Sequence, residues 1–206
     1  VNSFSHVIID GHAPGITGKD VQAYRLAGIL NDHECASAEE GIEKLRAGYH
    51  ILIREGSGAK NSEQLIKGFV DAGVAFDRCL FCTDDKHLED IENEGHIDTC
   101  VRKAIKAGLA PEKAYKIASY NAAQFYNIYS VGAVGAGHLA DILVVNDLEN
   151  VEISTIIKGG EIVDENWLKD FHYELKDETL LQTVKNEKIT KEAIALSKKE
   201  LNDVME

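Results

Sequence analysis

The chain has 206 residues, 44% hydrophobic and 28% charged, with two prolines, a composition that sets disorder and collagen-like order aside and leaves ample material for a buried core. Its 35 acidic residues outnumber 22 basic ones, for a net charge of −13, and that field repels a phosphate backbone, so no nucleic acid is expected as partner. No apolar run nears the roughly 20 residues of a membrane span, residues 1–10 lack signal-peptide character, and four cysteines are too sparse for a disulfide scaffold; no membrane association and a cytoplasmic location are the expectations.

From residue 6 to about 125 a short apolar run, a polar turn and an amphipathic helical stretch alternate, the mark of βα units and a parallel sheet. The first run is His6-Val7-Ile8-Ile9, followed by Asp10-Gly-His-Ala-Pro-Gly15 and a helix from about Gly18 with Val21, Tyr24, Leu26 and Ala27 at helical intervals. Ile29-Leu30 then enters Asn31-Asp-His-Glu-Cys35, and Ser37 with Glu39 and Glu40 opens a helix that closes near Gly48. The third run, Tyr49 to Ile53, breaks at Arg54-Glu-Gly-Ser-Gly58 before a helix from Ser62 to about Ala72, and the fourth, Asp77 to Cys82, ends in Thr83-Asp84-Asp85. Residues 97–108 and 111–126 read as two more helices, Gly108 stopping the first and Pro111 starting the second.

After Gly132 the pattern turns to short β-rich runs at 142–145, 151–157 and 161–163, with Lys158-Gly159-Gly160 as a hairpin turn. A domain boundary is placed near 130, dividing the chain into 1–130 and 131–206. Residues 174–206 carry many charges and read as a solvated helical tail. The glycine-rich segment 132–137 lacks the Lys-Ser/Thr ending of a phosphate loop and reads as a turn.

Each apolar run of the first half ends in a metal-capable or ionisable residue: His12, His33 with Glu34, Arg54 with Glu55, and Asp84 with Asp85. In a parallel α/β architecture those strand ends converge on the face where ligands bind. Two imidazoles and a carboxylate suit a divalent zinc, iron, manganese or cobalt ion. Such an ion makes hydroxide available near neutral pH, while Glu34 or Asp84 moves the proton. Each residue also has an ordinary structural use: a turn histidine, an N-cap for Asp84-Asp85, an ion pair between Arg54 and Glu55. Cys79 and Cys82 have the spacing of a zinc or redox pair, but three residues apart on a strand they face opposite ways and read as buried, inert thiols.

Taken in order, Asp10-Gly-His-Ala-Pro-Gly15, Asn31-Asp-His-Glu34, Ile53-Arg-Glu-Gly-Ser57 with Ala59-Lys-Asn61, Phe81-Cys-Thr-Asp-Asp85 and the Gly132 to Val145 segment resemble prokaryotic adenine deaminases of the amidohydrolase superfamily over about residues 6–165. That resemblance implies an α/β fold: the C-terminal half of a metal-dependent hydrolase (β/α)8 TIM barrel followed by part of a small β-sandwich. It makes His12, His33 and Asp84 metal ligands, Asp84 and Glu34 the catalytic pair, and Glu34, Arg54 and Ser57 the substrate contacts. The implied reaction adds hydroxide to C6 of adenine, protonates the amine and releases ammonia and hypoxanthine. Manganese, iron or zinc is the implied metal, binuclear in a complete homo-oligomeric enzyme.

No His-x-His pair occurs in the chain, although the family carries one on its first barrel strand, so an internal fragment with little activity of its own is expected. The rivals are another cyclic amide or amidine hydrolase, and a non-catalytic half-barrel module. The zinc deaminases with H-x-E and P-C-x-x-C are excluded, because Arg78 rather than proline precedes Cys79.

Overall fold

The structure, a computed structural model, describes residues 7–172, 174–177, 179, 181, 183, 185, 190 and 192–195. His6 and most of the expected helical tail lie outside these residues; within the described part of that tail the regular element is a 3-10 turn at Glu192–Ile194. Among the described residues, no helix is long and apolar enough to cross a membrane.

Helices and strands alternate as α1 (Lys19–Leu26), β1 (Asn31–Asp32), α2 (Ala38–Arg46), β2 (His50–Arg54), α3 (Ser62–Asp71) and β3 (Cys79–Cys82). The strands form one parallel sheet in the order β1-β2-β3, with Asn31 opposite His50 and Leu52 opposite Leu80. Local chemistry explains the boundaries. The Ser37 hydroxyl accepts the Glu40 amide at 3.3 Å and starts α2, and Gly48, at φ 91°, takes the left-handed turn after its end. Leu26, expected on the inner face of α1, is instead exposed, and Val21 is the buried residue of that helix.

Helices follow as α4 (Leu88–Glu94), α5 (Ile97–Lys106) and α6 (Pro111–Lys116), the last running through a π turn at Ile117–Asn121 into α7 (Ala122–Phe125). Asn121 gives the turn a purpose: its buried amide donates to the carbonyls of Phe76 at 2.9 Å and Cys79 at 2.8 Å, anchoring it to the start of β3. The alternative reading of Asp84-Asp85 as a helix cap does not hold, because α4 begins later, with His87 at its N-cap.

Side chains of the sheet alternate between two environments. Ile51 and Ile53 of β2 and Cys79 and Phe81 of β3 face the main core, where Leu65, Ile66 and Phe69 of α3 and Val101 and Ala104 of α5 cover them. Leu52 and Leu80 face the other way, against Phe125. That parity sends Arg54 to the side of Leu52 and Glu55 to the side of the helices.

The expected opening strand is not formed: residues 7–14 join no ladder, and β1 pairs with β2 alone. Side chains of β1 do the joining instead. Asn31 Oδ1 accepts the Gly11 amide at 2.7 Å, Asn31 Nδ2 donates to Asp10 Oδ1 at 2.5 Å, and Asp32 Oδ1 accepts the Ala13 amide at 3.1 Å.

Further along, β4 (Ile142–Asp147), β5 (Glu152–Lys158) and β6 (Glu161–Ile162) form an antiparallel sheet. Its β5–β6 hairpin turns on Gly159 and Gly160, at φ 59° and 91°, as the two-residue loop requires. The residues up to Asp164 form one compact unit, and a second starts at Glu165. In the second, α8 (Glu165–Asp170) carries Trp167 stacked on Phe171 at 5.4 Å between ring centroids.

Candidate functional site

His33 and Glu34 leave the C-terminal end of β1, and His12 sits in the segment that the β1 side chains hold. The two imidazoles meet edge to face with centroids 5.5 Å apart. His12 Nδ1 and His33 Nε2 each stand 3.7 Å from the same Glu34 Oε1. Donor atoms of these three residues all lie within 4.8 Å of one another. Two donors on a tetrahedral ion with bonds of about 2.1 Å are about 3.4 Å apart, so the spacing suits a shared cation. The other ring nitrogen, His33 Nδ1, is buried without a hydrogen-bond partner, and Asp10 Oδ2 lies 3.6 Å from it. A carboxylate behind the free nitrogen is the arrangement that orients a metal-ligating imidazole. The donor set and its surroundings therefore fit a divalent transition ion.

Arg54 joins Glu34 to Asp84. Its guanidinium grips both oxygens of Glu34, Nη2 to Oε2 at 2.9 Å, and Nη1 also donates to Asp84 Oδ2 at 2.9 Å. Burial opposes the Arg54 charge, but the two carboxylates outweigh it and hold the pKa above its ordinary value. Asp84, expected as a third ligand, stands outside the His12, His33 and Glu34 group and reaches it through Arg54. Its backbone is left-handed, φ 53°, a conformation that aspartate tolerates and that recurs at functional sites.

The alternative of an Arg54–Glu55 ion pair is not realised, because consecutive residues at a strand end point to opposite faces. Glu55 is buried among the helices, where Lys103 Nζ donates to Oε1 at 2.5 Å and the Ser62 hydroxyl to Oε2. Ser57 is engaged in tying the β2 loop to α4: its hydroxyl donates to Asp90 and accepts the His87 amide at 2.8 Å. Asp85 accepts the Gly58 amide at 2.7 Å, and a Cβ on Gly56 would collide with the same carboxylate.

Beneath the histidines lies a cluster that sequence reading missed. Lys44 is fully buried, and its ammonium donates to Ala13 O at 2.7 Å, Asp32 Oδ2 at 2.5 Å and Glu40 Oε1 at 2.6 Å, using all three hydrogens. Burial pushes the Lys44 ammonium down, yet its two carboxylates more than compensate and raise it; burial likewise pushes Asp32 up, and Lys44 with two backbone amides brings it below the usual range. Asp32, Cys35 and Glu40 have the spacing of a metal group, but Lys44 is already the cation there. The signal available was the Glu40 to Lys44 spacing on one helix, which normally marks a solvated pair. Cys79 and Cys82 are free thiols, each pushed up to about 12 by burial first of all, as inert thiols should be.

Residues 3–163 match the model of the Amidohydrolase family. A protein named adenine deaminase from Clostridium acetobutylicum is 44% identical over 191 residues, covering 92% of this chain and 33% of that protein. One of the same name from Kosmotoga olearia is 48% identical over 158 residues, 77% of this chain and 27% of that protein. The chain thus spans about a third of the length of these relatives. Among solved structures, a β-aspartyl dipeptidase from Fervidobacterium islandicum AW-1 in complex with β-Asp-Leu dipeptide superposes with a TM-score of 0.58 at 19% identity, over 78% of this chain and 49% of that one. At that identity the likeness speaks for the fold.

Proposed function

The chain belongs to the amidohydrolase family, and from that membership we propose that it serves the hydrolytic deamination of adenine to hypoxanthine and ammonia. The observation that carries the proposal is the meeting of His12, His33 and Glu34 around one point, in a chain 44% identical to a protein named adenine deaminase. The family is generally metal-dependent, and the mixed nitrogen and oxygen donors suit manganese, iron or zinc, two ions in the complete enzyme. The parallel strands belong on this reading to a (β/α)8 barrel and β4 to β6 to a small β-sandwich, divided near residue 130. The complete enzyme is read as a cytoplasmic homo-oligomer.

His12 and His33 would hold the ion, with Asp84 completing its environment. A divalent ion there supplies Lewis acidity that makes water reactive near neutral pH. In the net reaction the water oxygen bonds to C6, the C6 to amine bond breaks, one proton of the water leaves with ammonia and the other ends on N1 of hypoxanthine. Asp84 and Glu34 would carry these protons, Asp84 from the attacking water to the leaving amine and Glu34 to the purine ring nitrogen. Arg54, paired with both, sets their separation. Ser57, its hydroxyl engaged by Asp90 and the His87 amide, would serve the substrate pocket by securing that loop to α4.

The test is a chimera in which this chain replaces the matching third of the Clostridium acetobutylicum relative. Adenine turnover is expected, with His12→Ala and His33→Ala each abolishing it in folded protein. A folded chimera that leaves adenine untouched but turns over guanine, cytosine or dihydroorotate overturns the substrate; one indifferent to both substitutions overturns the site.

A further inference from the structure

Resting on the reading of His12 and His33 as ion-holding residues, we propose that Lys44 is a positioning residue that sets the spacing of the two imidazoles. The argument begins with an absence of backbone pairing: among the described residues, no backbone hydrogen bond joins the His12 segment to β1. Side chains alone fix where one imidazole sits relative to the other.

The Tyr24 hydroxyl meets the His12 amide at 3.2 Å, and two clamps join the segment to β1, one on each side of His12. On one side Asn31, fully buried, holds Asp10 and Gly11. On the other, Asp32 Oδ1 accepts both the Ala13 amide at 3.1 Å and the Glu34 amide at 3.2 Å, so a single oxygen touches the residue after His12 and the residue after His33. Lys44 closes this second clamp. Its ammonium takes the Ala13 carbonyl and the other oxygen of Asp32, and leans on Glu40, which itself accepts the amides of Gly15 at 2.8 Å and Ala36 at 3.0 Å.

Three pieces of chain are thereby referred to one buried cation on α2. Removing that cation leaves two carboxylates with no counter-charge and lets the Ala13 carbonyl go, and the imidazole beside it moves with the segment. Outer residues that orient metal ligands typically contribute 10- to 100-fold in metal affinity. Lys44, which touches neither imidazole, is placed for that role.

Zinc titration by calorimetry of the purified chain tests this, using zinc ion alone as the probe. Lys44→Met by itself strands Asp32 and Glu40, so the working variant is Lys44→Met/Glu40→Gln, which keeps the charge of the cluster unchanged. The control is Ile66→Ala, a cavity in the core under α3 that lowers the thermal midpoint without touching the clamp's hydrogen bonds. Both are measured well below their midpoints. The expected result is a zinc affinity at least tenfold weaker in the double variant and within about threefold of wild type in Ile66→Ala. Equal affinity in wild type and double variant, or equal loss in the control, overturns the positioning role. If wild type binds no zinc, or His12→Ala and His33→Ala leave its affinity unchanged, the metal reading itself fails, a result distinct from a clamp variant that still binds.

Discussion

Gly11 is where the site depends most narrowly on the absence of a side chain. A Cβ built there overlaps the carbonyl oxygen of Asn31 and stands only 2.9 Å from Ile29 Cγ2 and 3.0 Å from the Asn31 carbonyl carbon. The obstacle is backbone of β1, which its own ladder holds to β2, so the His12 segment must give way. Clearing the overlap separates the two by about 1 Å, and overpacking of that kind costs about 1–3 kcal/mol. Metal sites tolerate displacements of about 0.2 Å in ligand distance. Gly11→Ala is therefore expected to lower the thermal midpoint modestly while weakening zinc binding far more than that loss explains, because the shift falls on the residue next to His12. Differential scanning calorimetry and zinc titration on the same protein give both quantities. Unchanged zinc affinity, with or without a lower midpoint, refutes the claim that close packing against β1 places His12.

Acid behaviour tests the ion pairs over the β2 loop. Lys60 and then Lys86 hold the Glu94 carboxyl down to about 2 from its ordinary 4.5, with Lys60 Nζ 2.5 Å and Lys86 Nζ 2.6 Å from its oxygens. A depressed carboxylate contributes its stability in full above pH 4.5 and loses it as pH falls toward 2. The midpoint difference between wild type and Lys60→Met should accordingly be constant near pH 6 and shrink between pH 4.5 and 2; a gap that persists at pH 2 contradicts the assignment. Thiol chemistry offers an independent check, since burial pushes Cys79, Cys82 and Cys100 each up to about 12. Ellman's reagent at pH 8 should find no fast-reacting thiol until denaturant is added, and rapid labelling of native protein at Cys82 would show the strand face to be open.

The alternation of β1 to β3 with α1 to α3 was legible because apolar runs, caps and glycines agree there: Ser37 caps α2, and Gly48 turns the chain out of it. The ends of those runs also pointed to His12, His33, Glu34, Arg54 and Asp84 as neighbours, since parallel strands deliver such residues to one edge. Three things were hidden. Residues 7–9 look like a strand, yet Asn31 and Asp32 replace a ladder with side-chain bonds, which no apolar pattern announces. Arg54 and Glu55 are adjacent in sequence but separate at the strand end, Arg54 to Glu34 and Asp84, Glu55 to Lys103. Lys44 reads as a surface helix residue because its partners, Ala13 and Asp32, lie 31 and 12 positions away; only tertiary structure makes a buried lysine affordable.

Anomalous diffraction from crystals of the chain grown with zinc would test the centre of this account most directly. The account predicts a zinc peak at about 2.1 Å from one ring nitrogen of His12 and one of His33, with Asp10 behind the second ring. A peak bound elsewhere, or rings of His12 and His33 turned away from a common point in the presence of saturating zinc, would contradict it.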